Sequence, residues 1–408
     1  MSKIQLYDYS KLNNYDVTIE AVKSTFIKFQ QLANLISKKH FFLGFDGYID
    51  SLYSMVSKRT DSNNWAKMDS MNEFANRIQD ASGSSCNIER VLKKKIAGGF
   101  APNMARTVSG LGAKAILVGA MGFPAINPLF KEFPESVKLY SIKDMGETAA
   151  FEFNDGKVMC TDFGNINQIT WDTILNVIPR DEFIELIEKS DAIGQGHWSL
   201  VPNMNSIWEK MIKEIFPNVS NMKNKIFMVD PSDCKKRTPA DINEKLKLLQ
   251  KIEEFSPVML SLNDKEAIDI TNIIISEDSA FHKKRVTQIK TQEDYFDIGG
   301  KLNEVLGVSY LVIHDPHFAT ISTKKSHHWV TEGYTSKPNF TTAAGDFFNG
   351  GVLSSLVCGL RPEESLVVGN ALTAIFVRTG ISVGLNQVRK FIESYFKYIQ
   401  NDINELSI

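Results

Sequence analysis

The sequence predicts an α/β protein of three layers, a mainly parallel central sheet covered by helices on both faces. Three observations carry this. From about residue 190 onward, short apolar runs alternate with helical stretches, as strands and crossover helices do. The runs are Asp191-Ala192-Ile193-Gly194, Ile226-Phe227-Met228-Val229-Asp230, Val258-Met259-Leu260-Ser261-Leu262 and Tyr310-Leu311-Val312-Ile313-His314. Their continuous apolar character fits strands buried on both faces. Finally, 408 residues with 43% hydrophobic and 23% charged side chains suffice for one large domain with an appendage.

The elements follow in order. Residues 16–38 alternate polar and apolar at helical spacing. His40-Phe41-Phe42-Leu43-Gly44-Phe45-Asp46-Gly47-Tyr48-Ile49-Asp50 reads as a buried strand ending in a glycine-bearing turn with two carboxylates. The stretch 59–95 is polar, with a helix expected at 69–80 and a turn at Ser82-Gly83-Ser84-Ser85. After Gly98-Gly99, a helix is expected from Ala101 to Leu111, closed by Gly110 and Gly112. Ala115-Ile116-Leu117-Val118-Gly119-Ala120 is a short buried strand, and Phe151 to Val158 forms a hairpin around Asp155-Gly156. No linker separates independent units, so residues 1–408 are expected to form one domain.

A net charge of −2 implies no general attraction to nucleic acid or membrane, and neither is an expected partner. The basic clusters 93–95, 235–237 and 282–285 read as solvated surface. Cysteines 86, 160, 234 and 358 stand far apart without a CxxC pair, which argues against a disulfide framework or zinc site and fits a reducing cytoplasm. Met1-Ser2-Lys3-Ile4-Gln5 opens no apolar leader, and no run approaches 18 apolar residues.

Four segments could carry chemistry. Thr341-Thr342-Ala343-Ala344-Gly345-Asp346 puts small residues and a carboxylate at a helix start, where unpaired amides and the dipole favour an anion. Asp346 then suits a base for a hydroxyl that attacks phosphorus, or a structural acid in a first turn. Gly98-Gly99 with Asn103 either lets a ligand lie on the backbone or makes a turn with a capping asparagine. Asn263-Asp264-Lys265-Glu266 offers two oxygen ligands for hydrated Mg²⁺ on one helical face, or else a capping box. Asp46 and Asp50 either accept hydrogen bonds from substrate hydroxyls, or one of them caps a turn.

Taken together these segments resemble the PfkB carbohydrate kinases of the ribokinase-like superfamily. Gly98-Gly99-x-Ala101-x-Asn103-x-Ala105, with Gly112 and Gly122, is similar to the first family signature. Thr341 to Asp346, with Asn349-Gly350, resembles the second, and Asn263-x-x-Glu266 the magnesium motif. The resemblance spans roughly residues 40 to 385. It implies a kinase moving the terminal phosphoryl group of ATP to a hydroxyl of a sugar or sugar-like molecule. Asp346 would be the base, and the amides of Ala343, Ala344, Gly345 and Asp346 the anion hole. Asp46, Asp50, Gly98, Gly99 and Asn103 would hold the sugar, with Glu152 closing over it. His314 and Asn370 would stand at the nucleotide, and Asn263 and Glu266 would orient Mg²⁺ through its waters. A small β-rich lid is expected from about 46–97 and 140–170. Lids often pair between subunits in this family, so a homodimer is one open reading.

The chain also departs from the family pattern. Phe340 stands where many relatives carry an aspartate that helps hold a monovalent cation. His314-Asp315-Pro316-His317-Phe318-Ala319 replaces a glycine-rich nucleotide loop. That segment, and the spacing of Gly44 and Asp50, are similar to ADP-dependent sugar kinases. ADP as donor, a nucleoside as acceptor, and an inactive sugar-binding homologue are therefore the alternatives. His327 and His328, adjacent in a strand, point to opposite faces and cannot easily chelate one ion. His197 either lines the cleft or is a structural histidine.

Overall fold

The computed structural model describes residues 15–277, 286–289 and 291–406; the basic cluster at 282–285 and the first five residues lie outside them. In chain order the strands are β1 (His40–Gly44), β2 (Tyr48–Arg59), β3 (Trp65–Lys67), β4 (Arg90–Gly98), β5 (Lys114–Ala120) and β6 (Val137–Lys143). They continue with β7 (Gly146–Phe153), β8 (Gly156–Asp162), β9 (Ala192–Gly196), β10 (Ile226–Asp230) and β11 (Val258–Asn263). The last three are β12 (Tyr310–His314), β13 (Phe318–Ser322) and β14 (His327–Thr331).

Nine of these make the central sheet, in the order β14-β13-β12-β11-β10-β9-β1-β5-β6. Every pairing from β12 through β6 is parallel, and β13 and β14 extend that edge antiparallel. Successive side chains along each strand enter opposite cores, as the two-residue period requires. Phe42, Ile116, Ile193, Phe227 and Val229 pack on one face, against the helices Arg180–Lys189, Pro239–Glu253 and Gln292–Leu306. Phe41, Leu43, Ala115, Leu117 and Met228 pack on the other, against Tyr15–Ile36, Phe100–Gly110, Ala344–Val357 and Pro362–Thr379. The three-layer sandwich expected from the alternation is therefore the fold.

Strand order reverses direction beside β1, which has β5 on one side and β9 on the other. Crevices at such switch points, beyond the carboxyl ends of the strands, are where ligands sit in these sheets. The residues that leave those ends are Asp46 after β1, His197 after β9, Asp230 in β10, Asn263 in β11 and His314 in β12.

A second sheet of five strands, β3-β2-β7-β8 with β4 also on β2, stands apart from the main one. Its own apolar cluster is small, Met55, Met68 and Phe153. The expected lid limits need correction at two places. β6 pairs with β5 at the edge of the central sheet rather than in the lid, because Val137 and Ile142 supply buried apolar side chains to the body. Residues 163–170 also return to the body, where Ile166 and Ile169 are fully buried in the main core. Among the described residues no helix is long and apolar enough to cross a membrane.

Candidate active site

Helix Ala344–Val357 is capped by Ala343 in the left-handed region, at φ 73° and ψ 0°. That turn brings the chain into the helix, whose first amides have no acceptor within it. The amide of Ala344 bonds back to the Thr341 carbonyl at 3.3 Å, while Ala344 and Gly345 line an open cleft. Asp346 follows in the first turn, with only 5% of its surface exposed.

Asn103 reaches Asp346 from helix Phe100–Gly110, its Nδ2 donating to Oδ2 at 2.8 Å. The two helices come this close because the position facing Thr107 is Gly350. A methyl on Gly350 would land 2.5 Å from Thr107 Cγ2. Arg106 sets the orientation of the Asn103 amide, donating to its Oδ1 at 2.9 Å. A guanidinium has donors only, so the amide oxygen turns to Arg106 and the NH₂ group turns to the carboxylate.

The cleft floor is rich in carboxylates. Burial pushes the Asp346 carboxyl up to about 8, with Asp230 and Asp46 adding repulsion while His197 and the Asn103 bond pull it down. Burial likewise raises Asp230, which accepts from Asn349 Nδ2 at 2.9 Å and from the Ser232 amide at 2.9 Å. Glu266 is pushed up to about 8, by burial first and then by Asp230. Cationic groups stand against them, Lys245 near Glu266 and Asp230, Arg106 near Asp346, and His197 on Asp46. Burial works against a charge on His197, yet the Asp46 carboxylate at 2.7 Å, with Asp346 and Asp230 beyond, pushes the imidazole up to about 10. His197 is thus a cation inside an acidic cleft, held in the left-handed region at φ 51°.

Beyond the helix start lies a pocket of about 460 Å³, lined by Asn263, His314, Asp315, Tyr334, Gly345 and Val377 among others. Burial holds His314 down to about 4, and its ring lies on Phe348 with centroids 4.7 Å apart. It is a neutral, partly aromatic wall. Burial also lifts Glu332, another lining residue, well above the usual carboxylate range.

A family model described as prokaryotic ketohexokinase matches residues 16–395. The chain belongs to the prokaryotic ketohexokinase family. It is a carbohydrate kinase of the PfkB, ribokinase-like kind, a phosphotransferase with an alcohol as acceptor. A ketohexokinase of Haloferax volcanii is 29% identical over 357 residues, covering 87% of this chain and 91% of that protein. Among solved structures, adenosine kinase of Sinorhizobium meliloti superposes with a TM-score of 0.60 at 13% identity, over 88% of this chain and 99% of that one. Arabidopsis thaliana ribokinase, solved with ribose and ATP, gives 0.59 at 15% identity, over 87% and 98% of the chains. These structural likenesses establish the fold.

In this kinase several expected site residues prove to be occupied by the protein itself. Asp46 is fully buried and caps helix Phe100–Gly110, its two oxygens accepting the amides of Phe100 and Ala101 at 2.8 and 2.9 Å. With His197 also on it, Asp46, expected at the sugar, serves here as a helix cap and charge partner. Asn263 and Glu266 form the reciprocal capping box. The Asn263 amide donates to Glu266 Oε2 at 3.0 Å, and the Glu266 amide to Asn263 Oδ1 at 2.9 Å. Asn263 and Glu266 thus each spend one acceptor on the helix start, while Asn263 also lines the pocket. Asn370, expected at the nucleotide, is fully buried between Tyr395 and Glu332 and is not among the residues lining the pocket.

The remaining residues sit as follows. Asp50, in β2, is mostly buried, and burial raises its carboxyl. Gly98 makes room for it, since a methyl there would land 1.9 Å from Asp50 Oδ2. Gly99 is the residue before helix Phe100–Gly110. Glu152 stands in β7 of the five-stranded sheet, paired with Lys93 at 3.1 Å. Phe340 lies with its ring against Gly380, where a methyl would come within 2.7 Å of it, an apolar contact that offers a cation no ligand.

Among the polar residues of the cleft that escaped the sequence reading are Arg106 and Lys157. Arg106 stands three after Asn103, on the same helical face, a spacing that could have pointed to it. Lys157 crosses from β8 to donate to Thr342 Oγ1. Nothing local in the sequence connects a lysine at 157 with a threonine at 342.

Proposed function

We propose that this carbohydrate kinase phosphorylates a ketohexose, moving the terminal phosphoryl group of ATP to a sugar hydroxyl with Asp346 as the general base. The observation that carries the reading is the 2.8 Å bond from Asn103 to Asp346. It joins the sugar-site signature to the phosphoryl-site signature in one buried place. Asp50, raised by burial, and Asn103 would position the sugar. The acceptor hydroxyl would give its proton to Asp346 as its oxygen attacks phosphorus. Because the hydrogen bond fixes Oδ2, Oδ1 is the oxygen left to take that proton. The amides at the start of helix Ala344–Val357 would bind the phosphoryl oxygens, so most of the rate would come from positioning and preorganised charge.

The buried carboxylates fit a hydrated hard cation rather than a closely ligated metal. Asp230 and Glu266 repel one another, and no group of three or more metal-ligating side chains converges among the described residues. Mg²⁺, when bound, would offset phosphate charge, with Asp230 and the second oxygen of Glu266 holding it through water. The neutral His314 wall and the apolar lining of the pocket favour a nucleotide base there. We take residues 15–406 as one kinase domain whose lid is the five-stranded sheet.

Asp346→Asn should keep nucleotide binding and lose turnover by roughly 10³-fold or more. Near-normal turnover would remove Asp346 from its role. A second donor stays in view because the segment 314–319 has no glycine. A panel of ketohexoses, aldohexoses and nucleosides, assayed with ATP and with ADP, separates the cases. Formation of AMP rather than ADP would make ADP the donor.

A further inference from the structure

We propose that Lys157, on the lid, is a catalytic residue that neutralises the phosphoryl group in transit; this rests on the phosphoryl-transfer reading above. Lys157 is the second residue of β8, opposite Glu152 across the β7–β8 hairpin. Its Nζ spans from the lid to Thr342, the residue just before the Ala343 turn that starts the anion hole. The ammonium therefore lies at the mouth of a helix N-terminus, where the transferred group must pass.

Among the described residues its charge is taken up by no ion pair, while Glu152 and Asp50 attract it from further off. Of these, Glu152 is held by Lys93 at 3.1 Å. Lys157 is half-buried, and the loss of water lowers its affinity for the proton. An ammonium carries three donors and one is used on Thr342. A half-buried cation facing an anion site, with donors to spare, is suited to a ligand that brings negative charge.

The step balances without any further reactant. The acceptor oxygen forms a bond to the terminal phosphorus as the bond from that phosphorus to the bridging oxygen breaks. The bond's electron pair leaves on the nucleoside diphosphate, and the hydroxyl proton goes to Asp346. Lys157 stays protonated throughout and moves no atom. It lends charge to the phosphoryl oxygens when negative charge is most exposed, and only once the lid has closed.

The test compares Lys157→Met, Lys157→Arg and Asp346→Asn in the full-length enzyme. Lys157→Met should lower kcat by about 100- to 1000-fold while sugar and nucleotide dissociation constants, read by calorimetry, shift less than about threefold. Lys157→Arg should recover at least about tenfold of the loss. Melting should be unchanged, since the side chain belongs to neither large core. The proposal is overturned if Lys157→Met turns over like the parent. It is equally overturned if binding falls along with kcat, which would make the residue a latch, or if Lys157→Arg is as poor as Lys157→Met. A normal Lys157→Met with an inactive Asp346→Asn removes Lys157 alone, whereas normal turnover in both removes the base assignment as well.

Discussion

Asp346 is held between opposing influences, and their balance has a measurable consequence. Burial and the neighbouring carboxylates lift its carboxyl to about 8, against the pull of His197 and the Asn103 bond. A base works only when ionised, so kcat/KM for the sugar should rise with pH and level off above about 8. A rate profile flat from pH 6 to 9 would contradict this. At this scale the sequence named the atoms but not their alliances. Asp46 and Asp50 look alike on paper, four residues apart in one strand-and-turn run. Only the fold shows that Asp46 has both oxygens on helix amides and His197 on one of them, while Asp50 fills the room left by Gly98, beside the Thr148 hydroxyl. Asn263 and Glu266 carried two readings from the outset, and the backbone geometry satisfies the capping one.

Between elements, the decisive contact is that of helices Phe100–Gly110 and Ala344–Val357. Gly350 lets Thr107 sit against the helix backbone, and this approach delivers Asn103 to Asp346. Gly350→Ala should cost about 1–3 kcal/mol from overpacking. It should also lower kcat by more than it changes nucleotide affinity, since the bond to Asp346 would stretch. Urea denaturation and steady-state kinetics on one preparation check both parts, and an unchanged kcat would break the link between packing and catalysis. Strands and helices themselves were legible because periodicity is local. The helix expected at 69–80 is found at Met71–Asp80, and the one expected at 101–111 at Phe100–Gly110. The edge role of β6 was not legible, because Val137 and Ile142 declare their partner only when β5 lies beside them.

For the molecule as a whole, stability is unevenly shared. The body has two extensive cores, whereas the five-stranded sheet has a small one, Met55, Met68 and Phe153 with Phe74, Ile88, Phe151 and Val158 packed against them. Its amides should therefore exchange faster than those of the central strands, and slow when sugar and nucleotide bind together. Hydrogen exchange read by mass spectrometry, with each ligand alone and with both, tests this. Equal protection of β8 and β10 in the free enzyme would show the lid to be as firm as the body. The sequence by itself determined the three-layer fold and the kinase family, and it singled out Asp346 as the candidate base. Those rest on local periodicity and on short motifs whose geometry is set within a few residues. The tertiary structure alone decided that Asp46 is a cap, that Asn370 is interior, that Arg106 orients Asn103 and that Lys157 meets Thr342. Each of those contacts depends on where a side chain's partner stands in space, and such a position is fixed only when separate helices and sheets pack.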